Sequence, residues 1–292
     1  MRVHRSKSWV LVAAGAALGL VLGACAPEPT EPTQPAAEGS EAGSCEPDQL
    51  PLFAEGVLTI ATDKPAFEPW FVDNDPTNGK GYESAVAYAV AEEMGFTEDE
   101  VEWTVEPFNK SYAPGPKSFD FDINQVSISE KRERAVDFSD GYYDVNQALV
   151  ALKDSDVTDA GSLAELQDFK LGAQVGTTSY AYITEFIQPT DEPFTYDTTN
   201  DAKSALNAEQ IDGIVVDLPT AFYISAVEIP GSAVVGQFVS QGETEQFGLL
   251  FEEGNPLVDC VNEALAQLQS DGTLASIQDE WLSQAVSAPV LE

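Results

Sequence analysis

Arg132 closes a stretch whose residue types suit a carboxylate. It follows Ile123, Val126 and Ile128, a short β-type run, with the hydroxyls of Ser127 and Ser129 at its end and a polar helix expected to start within one turn. A guanidinium offers a planar fork of donors to two carboxylate oxygens, and free backbone N–H groups at a strand-to-helix junction complete an anion site. Taken alone, the segment Ser129-Glu130-Lys131-Arg132-Glu133-Arg134 reads as a solvated charged turn, a reading that the other segments overturn. Asp217 ends the buried-type run Gly213-Ile214-Val215-Val216, with Pro219 just beyond. A carboxylate at such a tip receives a cation or caps the next helix. Gly176-Thr177-Thr178-Ser179 follows another strand-like run, 171–175, and points hydroxyls and backbone donors at an anion or forms an ordinary N-cap.

The elements that must position these groups alternate in type. The run 57–62 is β-rich and ends in Asp63; a loop with Phe67 and Trp70 follows, then a helical stripe of Tyr82, Val86, Ala89 and Val90 stopped near Gly95, then a strand at 101–105. In open α/β sheets of this order the ligand sits beyond the carboxyl ends of the strands. That places Asp63, Phe67 and Trp70 at a site, unless the loop aromatics pack on their own domain. Further strands are expected at 146–153, 213–216 and 247–251. Asn255 and Pro256 then read as N-cap and N1 of a helix carrying Leu257, Val261, Ala264, Leu265 and Leu268, stopped at Gly272, with a short last helix holding Trp281. Gln174, beside the Gly176 turn, could hydrogen-bond a ligand amide, and Asp63 could meet a basic side chain.

The chain ends and the composition narrow the function. Arg2, Arg5 and Lys7 precede an apolar run from Trp9 to Leu22, the pattern of a secretory signal over 1–24. Leu22-Gly23-Ala24-Cys25 resembles a bacterial lipobox, which implies a lipid on Cys25 and a chain anchored to, rather than spanning, the membrane. Residues 25–49 include a tether rich in proline and glutamate, among them Pro27, Pro29, Pro32 and Pro35. Without the signal the chain keeps ten basic residues against fifty acidic, and no basic stripe exists for nucleic acid. The sole histidine, His4, lies in the signal, so imidazole-based catalysis and His-ligated zinc are excluded from the mature protein. No cofactor, metal site or catalytic residue is expected. Cys45 and Cys260 remain as an exported even pair, which forms a disulfide or stays as two buried thiols.

In order, these segments resemble the family 3 extracellular solute-binding proteins, the polar-amino-acid receptors of ABC importers. The resemblance rests on Thr62-Asp63 with Phe67, Pro69 and Trp70; on Gly81-Tyr82-Glu83; on Ser127-Ile128-Ser129-Glu130-Lys131-Arg132 followed by Phe138-Ser139 and Tyr142; on Gly176-Thr177-Thr178; on Val215-Val216-Asp217; and on Phe247-Gly248 with Asn255-Pro256. It implies an α/β fold of periplasmic-binding-protein type II, with two lobes, each a mixed sheet flanked by helices, joined by two crossing hinge strands near 143–148 and 239–248. Lobe 1 is expected at 50–143 and 245–285, lobe 2 at 144–244. By the same resemblance Arg132 clamps a ligand α-carboxylate with backbone help from Ser127 and Thr178, Asp217 on the opposite lobe receives the α-ammonium, and Phe67 and Phe108 form aromatic walls. Helix 256–269 packs on the N-terminal lobe, as a bridge from Cys45 to Cys260 requires. Asn124-Gln125 stands where the family has small residues, bordering the side-chain pocket, so Gln125 joins the expected ligand contacts. The implied protein is a monomeric, lipid-anchored, extracytoplasmic receptor that closes on a polar or basic amino acid and delivers it to an ABC permease. The alternatives are an exported dehydratase on the same scaffold, using Asp63 or Glu83 as an acid of raised pKa, and a sensory binding protein without transport.

Overall fold

A computed structural model describes residues 45–240, 242, 244–283 and 288–291; the expected signal and Cys25, the expected site of lipidation, lie outside them. In chain order the elements are β1 (Leu58–Thr62), α1 (Tyr82–Glu93), β2 (Val101–Val105), α2 (Phe108–Ser111), β3 (Phe121–Asp122), β4 (Val136–Asp144) and β5 (Gln147–Leu152). There follow β6 (Leu171–Gln174), α3 (Thr178–Tyr182), β7 (Phe194–Tyr196), α4 (Thr199–Asn207), β8 (Gly213–Asp217), α5 (Leu218–Tyr223), β9 (Ser232–Phe238), β10 (Gln246–Glu252), α6 (Leu257–Ser270) and α7 (Thr273–Leu282). Among the described residues the strands form two five-stranded sheets, in the orders β2-β1-β3-β10-β4 and β7-β6-β8-β5-β9. Both repeat one plan: three parallel strands, then a reversed strand, then an edge strand antiparallel to that one.

Burial explains the composition of the inner strands. All five residues of β1 are buried, as are the first four of β8, because such strands are covered on both faces; edge strand β2 has no fully buried residue. The first sheet's main core joins Leu58 and Ile60 to α1, α6 and the ring cluster of Trp70, Tyr82, Tyr143 and Phe247. The second sheet has a core on each face. The chain passes between sheets from β4 to β5 and back from β9 to β10, and the two passages are tied where Val145 N donates to Glu245 O, 2.9 Å.

Both ends of the described chain are fastened. Cys45 pairs with Cys260 of α6, Cα–Cα 5.5 Å, inside the range a disulfide spans. At the other end, residues 288–291 add to edge strand β9. Gln237 N donates to Pro289 O and Leu291 N to Gln237 O, and Leu291 is buried in the second sheet's core. Gly236 makes the room, since a Cβ there would lie 2.6 Å from Leu291 Cγ.

Three local expectations are corrected. The run at 123–128 is not a strand: Gln125 takes a positive φ of 48°, which breaks the extended conformation, and only Ser127 bridges to Phe247. No helix starts at Arg132. Residues 129–135 make turns around Ser129 O, which accepts from both Arg132 N and Glu133 N, and the chain then enters β4. The helix expected from Pro256 does start there: Pro256 has the helical φ −70° and ψ −11°, and Asn255 Oδ1 accepts from Leu257 N at 3.0 Å as an N-cap does. Trp70 faces the core, fully buried, and not the site.

Candidate ligand-binding site

One cavity collects residues from the carboxyl ends of the parallel strands in both sheets. From the first sheet come Asp63 after β1, Phe67 in its loop, Phe108 at the start of α2, Asn124 and Gln125 after β3, and Arg132 before β4. Gln174, Thr178 and Asp217 come from the second sheet, at the end of β6, the start of α3 and the end of β8. Of the nine ligand contacts expected from sequence, all but Ser127 line this cavity.

Arg132 is 6 % exposed, so the solvated-turn reading of its segment fails at this residue. Its Nη1 donates to Ser127 O, 2.6 Å, and its Nη2 to Gly176 O, 3.1 Å. The guanidinium lies over the rings of Phe108 and Tyr112, 5.5 and 4.8 Å from their centroids, a cation–π arrangement that holds a charge out of water. Burial lowers its pKa, opposed by Tyr112, Glu245 and Asp217. Gly176 is required here: with φ +81°, a Cβ would lie 2.4 Å from Tyr112 Oη.

Asp217 stands at the N-cap position of α5, yet its side chain makes no cap hydrogen bond. Instead it accepts from Gln147 Nε2, 2.8 Å. Burial, and next the nearby charge of Glu245, push its pKa up to about 7, against the lowering effect of the Gln147 bond. Thr177 takes the ordinary N-cap role, accepting from Tyr180 N at 3.1 Å, while Thr178 Oγ1 lies 3.3 Å from Ser127 Oγ.

At the far end of the cavity Asp63 has a raised pKa, chiefly from burial, with the N–H groups of Lys64 and Phe108 acting against it. Gln174 Oε1 is taken by Thr199 N and Oγ1, both 2.9 Å, so its NH2 is what it has left to offer. Asn124 Nδ2 is buried without a hydrogen-bond partner. Gln125 is held from behind: its N–H and its Nε2 both donate to Glu83. Glu83 is fully buried, outside the cavity lining, and its pKa rises to about 7 through burial.

Sequence reading missed Gln147 and Glu245. Gln147 Oε1 accepts from Ser179 Oγ, 2.6 Å, which turns its NH2 toward Asp217 and Glu245. Gln147 opens β5 and Glu245 stands one residue before β10, where the two passages between the sheets end, and no motif marks either. The only signal was a polar residue at the head of each of two largely apolar runs.

The model for bacterial extracellular solute-binding proteins, family 3, matches residues 58–284. The L-cystine-binding protein TcyJ of Escherichia coli (strain K12) is 27 % identical over 236 residues, covering 80 % of this chain and 85 % of its own. Among solved structures, an ancestral arginine-binding protein bound to glutamine matches at 28 % identity with a TM-score of 0.66, over 78 % of this chain and 98 % of that one. The ancestral amino acid-binding protein AncCDT-1, a precursor of cyclohexadienyl dehydratase, matches at 28 % with a TM-score of 0.64, over 78 % and 95 %.

Proposed function

Because the chain belongs to the bacterial extracellular solute-binding proteins of family 3, we propose that it holds an amino acid between Arg132 and Asp217 and presents the closed, loaded form to an ABC importer. The observation that carries this reading is a buried guanidinium and a half-buried, uncapped carboxylate lining one cavity from two different sheets. A zwitterion needs one fixed cation and one fixed anion in a dry cleft. Lobe 1 comprises 50–143 and 245–285 and lobe 2 comprises 144–244; the receptor is a monomer tethered outside the cytoplasm by lipid on Cys25, with Cys45 and Cys260 oxidised.

The side-chain end of the cavity narrows the ligand. Asp63 accepts, while Asn124 and Gln174 have NH2 groups to donate. A guanidinium only donates and leaves those amides unanswered. A group that both donates and accepts answers them, such as a carboxamide or the second amino-acid head of cystine. An enzyme reading has less support, since Glu83 is sealed behind Gln125 and the relatives named above are binding proteins.

A thermal-shift screen of the proteinogenic amino acids and cystine tests the assignment, with the largest shift expected for cystine or glutamine. Calorimetry on Arg132→Met and Asp217→Asn then tests the clamp. Each is expected to cost about 2–5 kcal/mol of binding, because truncation leaves the opposite charge buried and unpaired. Unimpaired affinity in Asp217→Asn overturns the assignment of the ammonium.

A further inference from the structure

Behind the cavity a second carboxylate stands next to Asp217. Glu245 lies in the returning passage between the sheets, its backbone fixed by Val145 N–H on its carbonyl and by Ser240 Oγ, which accepts from its N–H at 3.2 Å. Its Oε1 accepts from Ser127 Oγ at 2.6 Å, and its two oxygens lie 3.3 and 3.2 Å from Gln147 Nε2. The same Nε2 donates to Asp217 Oδ1. One neutral amide therefore serves two carboxylates. Arg132, the cation in reach of both, donates to the carbonyls of Ser127 and Gly176 and to neither acid.

Among these three side chains two carboxyl groups stand against one guanidinium, so once Asp217 has lost its proton, above about pH 7, acids outnumber the cation before any ligand enters. A ligand bearing an ammonium beside Asp217 sets a positive charge against the two acids. A ligand with the same carboxylate but no ammonium adds a third anion to a partly desolvated cluster, where repulsion is strong. We infer that Glu245 is a specificity-determining residue of the site proposed above: from behind Asp217 it selects ligands that carry a free α-ammonium over the otherwise identical des-amino acids.

Its donors make the role separable from a structural one. Ser127 donates its only hydroxyl proton to Glu245, so Thr178 must be the donor in the 3.3 Å contact between the two hydroxyls. A carboxamide at position 245 with its oxygen in the place of Oε1 still accepts from Ser127 and, at 3.3 Å, from Gln147, and loses only the 3.2 Å bond to Oε2, so Glu245→Gln removes the charge while keeping the short bond that holds the side chain.

The experiment is calorimetric titration of wild type and Glu245→Gln with three pairs of probes. They are L-cystine against 3,3′-dithiodipropionic acid, L-glutamine against glutaramic acid, and L-arginine against 5-guanidinopentanoic acid. For each amino acid that wild type binds, Glu245→Gln is expected to reduce the preference over its des-amino partner by about tenfold or more, weakening the first and strengthening the second. Glu245→Asp, keeping the charge, is expected to retain most of the preference. An unchanged preference in Glu245→Gln, or equal loss of affinity for both members of a pair, overturns the inference while the amino-acid reading stands. An amino acid outside the three that wild type binds is tested against its own des-amino partner, and failure of wild type to bind any proteinogenic amino acid or cystine overturns that reading, and this inference with it.

Discussion

Asp217 is where the chemistry of a single residue can be read by pH. Its carboxyl, pushed up to about 7, holds a proton more tightly in the folded, ligand-free protein than in the unfolded chain, whose value is near 3.8. Its contribution to stability is therefore greatest in acid, falls as pH climbs through that interval, and is constant above about 7; Glu83 acts in the same direction. Binding has the opposite sign. An ammonium needs the anion, so capture below pH 7 must expel the proton. Affinity is expected to rise about tenfold per pH unit between about pH 5 and 7 and then level off, with proton release visible as a dependence of the calorimetric heat on buffer. Asp217→Asn should abolish the slope. A slope that survives in that variant would assign the proton to Glu83 or Asp63 instead.

Two elements carry the attachments that hold the ends of the described chain. Helix α6 buries Leu257, Val261, Ala264, Leu265 and Leu268 on one stripe, and Cys260 on the same face meets Cys45. Protein isolated without reductant is expected to show no alkylatable thiol after denaturation, and reduction to cost on the order of 2–5 kcal/mol. Two reactive thiols would leave α6 held by packing alone. Strand β9 receives residues 288–291 through Gln237 and over Gly236. Leu291→Ala removes a buried side chain, and Gly236→Val fills the space it needs; each is expected to lower stability by roughly 2 kcal/mol in thermal or denaturant melts. Equal melts for wild type and both variants would mean the segment adds nothing to the sheet.

The whole molecule is drawn together by a few contacts between the two sheets' sides. Trp70 Nε1 donates to Thr220 Oγ1 at 2.9 Å, Arg132 reaches Gly176, Ser127 meets Thr178, and Lys203 lies 5.1 Å from the centre of the Phe67 ring. Each would be broken by hinging at the two passages, so under the proposed function capture and closure are expected to be coupled. Thr220→Val leaves the indole N–H unpaired in the closed form and is expected to weaken binding by about 1–3 kcal/mol, mostly through faster release. Small-angle scattering should show wild type contracting with ligand. No change in radius on saturation would mean that closure is not part of capture.

The order of strands, helices and turns was written in local pattern: apolar β runs ending at Asp63, Gln174 and Asp217, and the stripe of α6. These signals are short-range, and so was the absence of histidine that removed much enzymology from consideration. Local pattern also marked Arg132, though not its surroundings; whether its segment was a solvated turn depended on Phe108, Tyr112 and Gly176, which lie far from it in sequence. The choice between cap and cation receptor at Asp217 likewise depended on Gln147, seventy residues away. Glu245 had no motif at all, because its position is set by the pairing of two chain passages rather than by its neighbours. Residue types thus determined which charges were available, and only the tertiary structure decided which of them share a desolvated space, since burial and Coulomb interaction depend on distance through space and not along the chain.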